Sequence, residues 1–159
     1  MKPLDYIHLD PAEVNNVVMS LQQLLADFQV HYTNLRSYHW NIKGRDFFVL
    51  HEKFEELYMD AAKKIDEIAE RILMLEGTPR SKFSDYLSMT NVTEIDGVKH
   101  GEEAINHILS TYTHLISEER KLAELAGKIG DEVTQAMMSD YLRDQEKMVW
   151  MLTAFSQKD

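Results

Sequence analysis

The chain has 159 residues, enough for one substantial core, and 44% of them are hydrophobic. It contains no cysteine, which excludes disulfide frameworks, thiolate zinc sites and cysteine nucleophiles, so any bound metal must be held by imidazole and carboxylate. Asp and Glu number 27 against 17 Lys and Arg, and the resulting charge of −10 favours cations over polyanions as partners. The sequence has no basic-then-apolar leader and no apolar run approaching the roughly 20 residues that span a bilayer. A single domain over residues 1–159, cytoplasmic and without a membrane partner, is therefore expected.

Gly (6) and Pro (3) are scarce, and apolar residues recur every three to four positions almost throughout, the pattern of long amphipathic helices. The first predicted helix begins at Asp10-Pro11, an N-capping acid followed by Pro in the first turn. Its apolar stripe is Val14, Val17, Leu21, Leu25, Phe28, Tyr32 and Leu35, and Asn41-Ile42-Lys43-Gly44 ends it. The second carries Leu50, Phe54, Leu57, Ala61, Ile65, Ile68, Ile72 and Leu75, and stops at Gly77-Thr78-Pro79. From Arg80 to Lys99 the pattern weakens into a crossover, with a short helix at Ser84 to Met89 and a turn at Asp96-Gly97. The third long helix shows Ile105, Ile108, Tyr112, Leu115, Leu122 and Leu125 before Gly127 to Gly130. Asp131 then caps a fourth, with the stripe Val133, Met137, Tyr141, Met148, Leu152 and Phe155. Four long helices with one long middle connection predict an all-α fold, the ferritin-like variant of the four-helix bundle, with the short helix in its crossover.

Chemistry concentrates on the second helix. At 100° per residue, His51, Glu55, Asp66 and Glu70 fall at about 0°, 40°, 60° and 100°, one face beside the apolar stripe, where the carboxylates are expected to be partly buried and relieved by a bound cation. His51 and Asp66 lie about 22 Å apart along a helix, so one chain cannot bring them to one ion. A second copy can. His51 and Glu70 are equidistant from a point near position 60, and so are Glu55 and Asp66. Two antiparallel copies about a two-fold axis there place His51 opposite Glu70 and Glu55 opposite Asp66, giving two identical sites across an isologous interface. His39, just before the break, is a further nitrogen ligand able to fold back. Imidazole and carboxylate without thiolate suit Fe(II), Mn(II) or Zn(II).

Competing motifs fail on inspection. His51-Glu52 lacks the second histidine of the HExxH zinc-protease pattern, and none of the seven histidines follows a Glu by three residues, so the Glu-x-x-His pairs of an intrasubunit di-iron centre are absent. His100, His107 and His114 recur every seventh residue, and ordinary packed or exposed imidazoles are the expected reading. There is no glycine-rich phosphate loop and no Ser-His-Asp order.

The segments Tyr38-His39-Trp40-Asn41-Ile42-Lys43-Gly44, Phe47-Phe48, Leu50-His51-Glu52-Lys53 and Asp66-Glu67-Ile68-Ala69-Glu70-Arg71 resemble the signature of the Dps family. Trp150-Met151 and Ala154-Phe155 are similar too, and the likeness runs from about Val14 to Phe155. The resemblance implies a homo-dodecameric hollow shell built from two-fold dimers. Its ferroxidase sites would take His39 and His51 from one subunit and Asp66 and Glu70 from the partner. Fe(II) would be oxidised to Fe(III) there by hydrogen peroxide and stored in the cavity, protecting against oxidative stress. Glu55 matches a ligand position where Asp is frequent in the family. Trp40 stands beside the site as a candidate electron carrier or packing aromatic, and Glu52 and Glu56 as candidates for mineral nucleation. Asp131, Asp140 and Asp144 are candidates for an acidic pore at a three-fold junction.

The alternatives are a helical scaffold or DNA-protecting protein with incidental metal binding, and a manganese catalase. The family's Lys-rich DNA-binding tail is not matched: Met1 to Asp10 holds Lys2 against Asp5 and Asp10, and Ser156-Gln157-Lys158-Asp159 is neutral. DNA binding is not expected.

Overall fold

The computed structural model describes residues 1–157; Lys158 and Asp159, half of the neutral C-terminal stretch, lie outside the described residues. Six helices follow one another: α1 (Leu4–Ile7), α2 (Pro11–Asn41), α3 (Phe47–Met74), α4 (Phe83–Met89), α5 (Gly101–Lys128) and α6 (Glu132–Ser156), with no strand among the described residues. The four long ones form the ferritin-like bundle, and α4 lies in the crossover as expected, whereas the single turn α1 was not anticipated. Among the described residues no helix is long and apolar enough to cross a membrane.

Helix ends follow from local chemistry. The Asp10 carboxylate accepts from the Ala12 N–H at 2.8 Å and Pro11 opens α2, so the capping acid and the fixed proline φ act together. Helix α3 ends in a Schellman turn. Gly77 N–H donates to Ile72 O (2.9 Å) and Glu76 N–H to Leu73 O (3.0 Å). The left-handed position is taken by Glu76 (φ 63°), one residue before the Gly77 expected to stop the helix. Helix α5 closes the same way with Gly130 (φ 74°) in that position and the Asp131 N–H donating to Ala126 O at 2.9 Å. Asp131 then caps α6 through the Thr134 N–H.

Short turns make α2 pack along α3 and α5 along α6, and α2 also lies against α5. The long crossover returns the chain to the end where it left α2: Lys43 N–H donates to Lys99 O at 2.9 Å, so α3 and α5 start side by side and run parallel. Polar side chains of α2 pair the crossover's backbone. Asp27, fully buried, accepts from Asn91 N–H (2.8 Å) and Thr90 Oγ1 (3.0 Å), and Asn34 both donates to Thr93 O (2.9 Å) and accepts from Ile95 N–H (3.0 Å).

The core is one continuous apolar cluster that includes Leu21, Phe28, Tyr38, Phe54, Ile68, Ile105 and Leu115. The stripes expected for the first three long helices are buried, with Tyr32, Ile65 and Leu125 at their margins. Helix α6 departs from its expected register. Val133 and Phe155 face outward, and Thr134, Met138, Leu142 and Gln145 are buried beside Tyr141 and Leu152.

Candidate metal centre

His39 sits three residues before the Ile42 cap of α2, where helix carbonyls have no intrahelical partner, and His51 lies in the second turn of α3. The short connection folds these two helix ends together. The imidazoles stack with centroids 3.8 Å apart and planes 17° from parallel. Their bonding is reciprocal: His51 Nδ1 meets His39 O at 2.7 Å, and His39 Nδ1 meets His51 O at 2.6 Å.

A carbonyl oxygen only accepts, so both Nδ1 atoms carry a proton, and in the neutral ring the lone pair is then on Nε2. The same contacts satisfy an otherwise orphaned helix carbonyl and fix each ring's tautomer and orientation, the arrangement usual around metal-binding histidines. Phe47 stacks on His51 (4.9 Å between centroids), and Tyr58 packs edge-on against His39 (5.3 Å). Phe47 was named only within the Phe47-Phe48 signature and Tyr58 not at all, although the signal was there: Phe47 precedes His51 by four residues and Tyr58 follows it by seven, both on one face of α3.

Glu55 lies one turn beyond His51 and is exposed; its Oε1 accepts from the Tyr58 hydroxyl at 3.5 Å. Asp66 and Glu70 are about three and four turns beyond Glu55 along α3 and are exposed as well. The expected partial burial of these carboxylates is therefore not found in one chain, because the face at 40–100° from His51 points away from the bundle. Among the described residues no three His, Asp or Glu side chains of the chain converge as one metal-holding group. The histidine half and the distal carboxylates stand at opposite ends of one helix.

The remaining candidates resolve individually. Trp40 is 64% exposed, with the Arg36 guanidinium 5.2 Å from its ring. Glu52 is exposed, and Glu56 pairs with Lys53. Asp131 is no pore residue: it is 1% exposed and its Oδ1 accepts from Arg71 Nη2 at 2.7 Å while the same carboxylate caps α6. Asp140 pairs with Arg143, and Asp144 with the buried Lys64 at 3.3 Å. Of the three histidines of α5's face, His114 Nε2 meets Asp27 Oδ2 at 2.8 Å, His107 stacks on Tyr38 at 6.4 Å, and His100 is exposed. All three are packing or surface imidazoles.

The ferritin-like domain family matches residues 19–159 of the chain. A DNA protection during starvation protein of Porphyromonas gingivalis is 46% identical over 157 residues, 99% of each chain. The crystal structure of a Dps protein from Vibrio cholerae O1, described as a member of a broad superfamily of ferritin-like diiron-carboxylate proteins, superposes with a TM-score of 0.92 at 46% identity, covering 94% of both chains. The Dps structure from Staphylococcus aureus matches at a TM-score of 0.87 and 34% identity, over 90% of this chain and 96% of that one. The chain belongs to the Dps family of ferritin-like proteins.

Proposed function

We propose that the protein is a ferroxidase and iron store: an assembly that oxidises Fe(II) with hydrogen peroxide at sites shared between two subunits. The observation that carries this reading is the reciprocal His39–His51 pair, in which each Nδ1 is engaged by a carbonyl and each Nε2 is left as the ring nitrogen available to a metal. Neutral imidazole nitrogens hold Fe(II) well, and carboxylates favour the higher charge of Fe(III).

The metal is substrate and cargo here. His39 and His51 bind and orient it, Asp66 and Glu70 of a second copy close the set, and Glu55 supplies further negative charge. Two copies of α3, antiparallel about an axis near Asp60, bring the halves together twice. That pairing also covers part of the large apolar surface which one chain leaves open, Phe48 being 82% exposed and Trp40 64%. A dodecameric shell of such dimers, as the family resemblance implies, gives the ferric product an enclosed space in which to hydrolyse and mineralise.

The test is peroxide-driven Fe(II) oxidation, followed optically, in the assembled wild type and a His39→Ala, His51→Ala double variant. The variant should be slower by at least roughly 10–100-fold, the scale seen when groups that orient metal ligands are lost. Equal rates would sink the assignment.

A further inference from the structure

We propose that Glu119, Gln145 and Lys64 form a proton-operated switch in the bundle interior. With its proton, Glu119 closes a doubly bonded acid–amide ring with Gln145 and leaves Lys64 to the surface acids Asp60 and Asp144; without it, the ring opens and the Lys64 ammonium is drawn inward. The switch is independent of the ferroxidase reading above.

Two orphaned oxygens define the closed state. Glu119 of α5 and Gln145 of α6 are buried, and Gln145 Nε2 donates to Glu119 Oε1 at 2.7 Å. The other oxygen of each group, Glu119 Oε2 and Gln145 Oε1, is buried and meets no donor. Two acceptors cannot satisfy one another. A carboxylic acid and a primary amide are planar groups of matching size, each with one donor and one acceptor along an edge, so a proton on Glu119 Oε2 serves both orphans at once.

Lys64 supplies the open state. Its buried ammonium donates to Asp60 Oδ2 at 2.5 Å and to Asp144 Oδ2 at 3.3 Å. Those side chains are 50% and 61% exposed, so water solvates them when the ammonium leaves, whereas an ionised Glu119 has no water to turn to. Of the two cations whose fields reach Glu119, Arg120 is exposed and held by Glu146 at 2.6 Å, and Lys64 is already inside. The other ionisable groups around the pair do not compete. Burial pushes Tyr112 of α5 and Tyr141 of α6 above their ordinary range, and burial first and Lys64 second push His31 of α2 down to about 3, so all three stay neutral. Glu67 of α3 accepts from the Tyr141 hydroxyl at 2.8 Å, and Asp27 of α2 is met by His114 at 2.8 Å. Burial holds the Glu119 carboxyl up to about 8 against the Gln145 bond, Lys64 and Arg120. The closed state therefore prevails below that pH and the open state above it. The change reaches three of the four long helices, including α3, which carries the candidate metal ligands.

The experiment is an infrared titration of the assembled protein that follows the carbonyl stretch of a protonated carboxylic acid, started above the range in which surface carboxylates titrate. Wild type should show such a band and lose it as pH rises through about 8, and Glu119→Gln should lack it. Asp60→Asn with Asp144→Asn releases Lys64 to Glu119 and should lower the midpoint by roughly one to three pH units, the scale of an opposite charge a few ångströms away. In a Lys64→Met background the same two substitutions should leave the midpoint where Lys64→Met alone puts it. No acid band in wild type, or one that persists in Glu119→Gln, overturns the proposal. So does a midpoint that moves equally with and without Lys64, because the acids then act through their own field. Wild type alone decides the closed state even where a variant fails to assemble.

Discussion

Single residues in this bundle place ionisable groups where charge is expensive. Glu119 is fully buried on α5 and accepts from Gln145 Nε2 at 2.7 Å, while Glu119 Oε2 and Gln145 Oε1 are both buried without a partner. A proton on Oε2 supplies a donor beside two oxygens that otherwise lack one. Burial accordingly pushes the Glu119 carboxyl up to about 8, against the smaller opposing pulls of the Gln145 bond and of Lys64 and Arg120. Because the folded value lies above the unfolded one of about 4.5, the acid's favourable contribution is complete below pH 4.5 and is lost as pH rises towards 8. The loss runs at up to about 1.4 kcal/mol per pH unit. Glu119→Gln keeps the shape and removes the titration, so its thermal midpoint should gain on wild type from pH 5 to pH 8; parallel midpoints would show that Glu119 is already ionised in the fold. Nothing in the sequence marked this residue. Glu118-Glu119-Arg120-Lys121 reads as a solvated charged run, and only the bundle's geometry turns one of the four inward. His39 and His51 were legible because their spacing brackets a helix break, whereas the exposure of Asp66 and Glu70 was misjudged from the periodicity of one helix.

At the scale of elements, the ends of α3 and α5 use one backbone motif with different residues in the left-handed position, Glu76 and Gly130. A Cβ at Gly130 would meet nothing within 4 Å, so the cost of Gly130→Ala is conformational only. It should destabilise by about 1–2 kcal/mol, read from the denaturation midpoint. No change would mean that α5 ends differently in solution. The neighbouring Asp131 links this turn to α3 through Arg71 as well as capping α6, which explains why an acid at a predicted helix start became a buried ion pair instead of a pore residue. The N-terminal caps and breaks were readable from Asp10-Pro11 and Gly127–Gly130 because capping is local chemistry. The register of α6 was not, because Val133 and Phe155 satisfy the apolar period while facing outward, and the buried positions include polar Thr134 and Gln145 with partners on other helices.

For the whole molecule, the proposed site, with its halves at opposite ends of α3, would make assembly and chemistry one event. Subunits held apart by dilution should oxidise iron far more slowly than the shell. Sedimentation velocity paired with the optical assay checks this, and a monomer working at the full rate would refute the shared site. Assembly also decides what the protein shows to nucleic acid. Relatives carry the name DNA protection during starvation protein, and protection can come from binding DNA or from removing the iron and peroxide that damage it. Non-specific affinity for duplex arises mainly from Lys and Arg neutralising phosphates and releasing counterions. In the proposed dodecamer, twelve copies at −10 each would give a shell of about −120, and several of the chain's cations are already engaged: Arg71 with Asp131, Lys64 with Asp60 and Asp144, Arg120 with Glu146. Charge facing a cavity is hidden from DNA, and what remains outside acts over the Debye length of about 8 Å at 0.15 M salt. The assembled protein at micromolar concentration should therefore leave plasmid mobility unchanged in a gel-shift titration at that salt without divalent metal, while protecting the same plasmid from iron and peroxide. Retardation under those conditions would show that a local cluster of Lys and Arg outweighs the net charge, and would make binding, not iron removal alone, part of how this protein shields DNA.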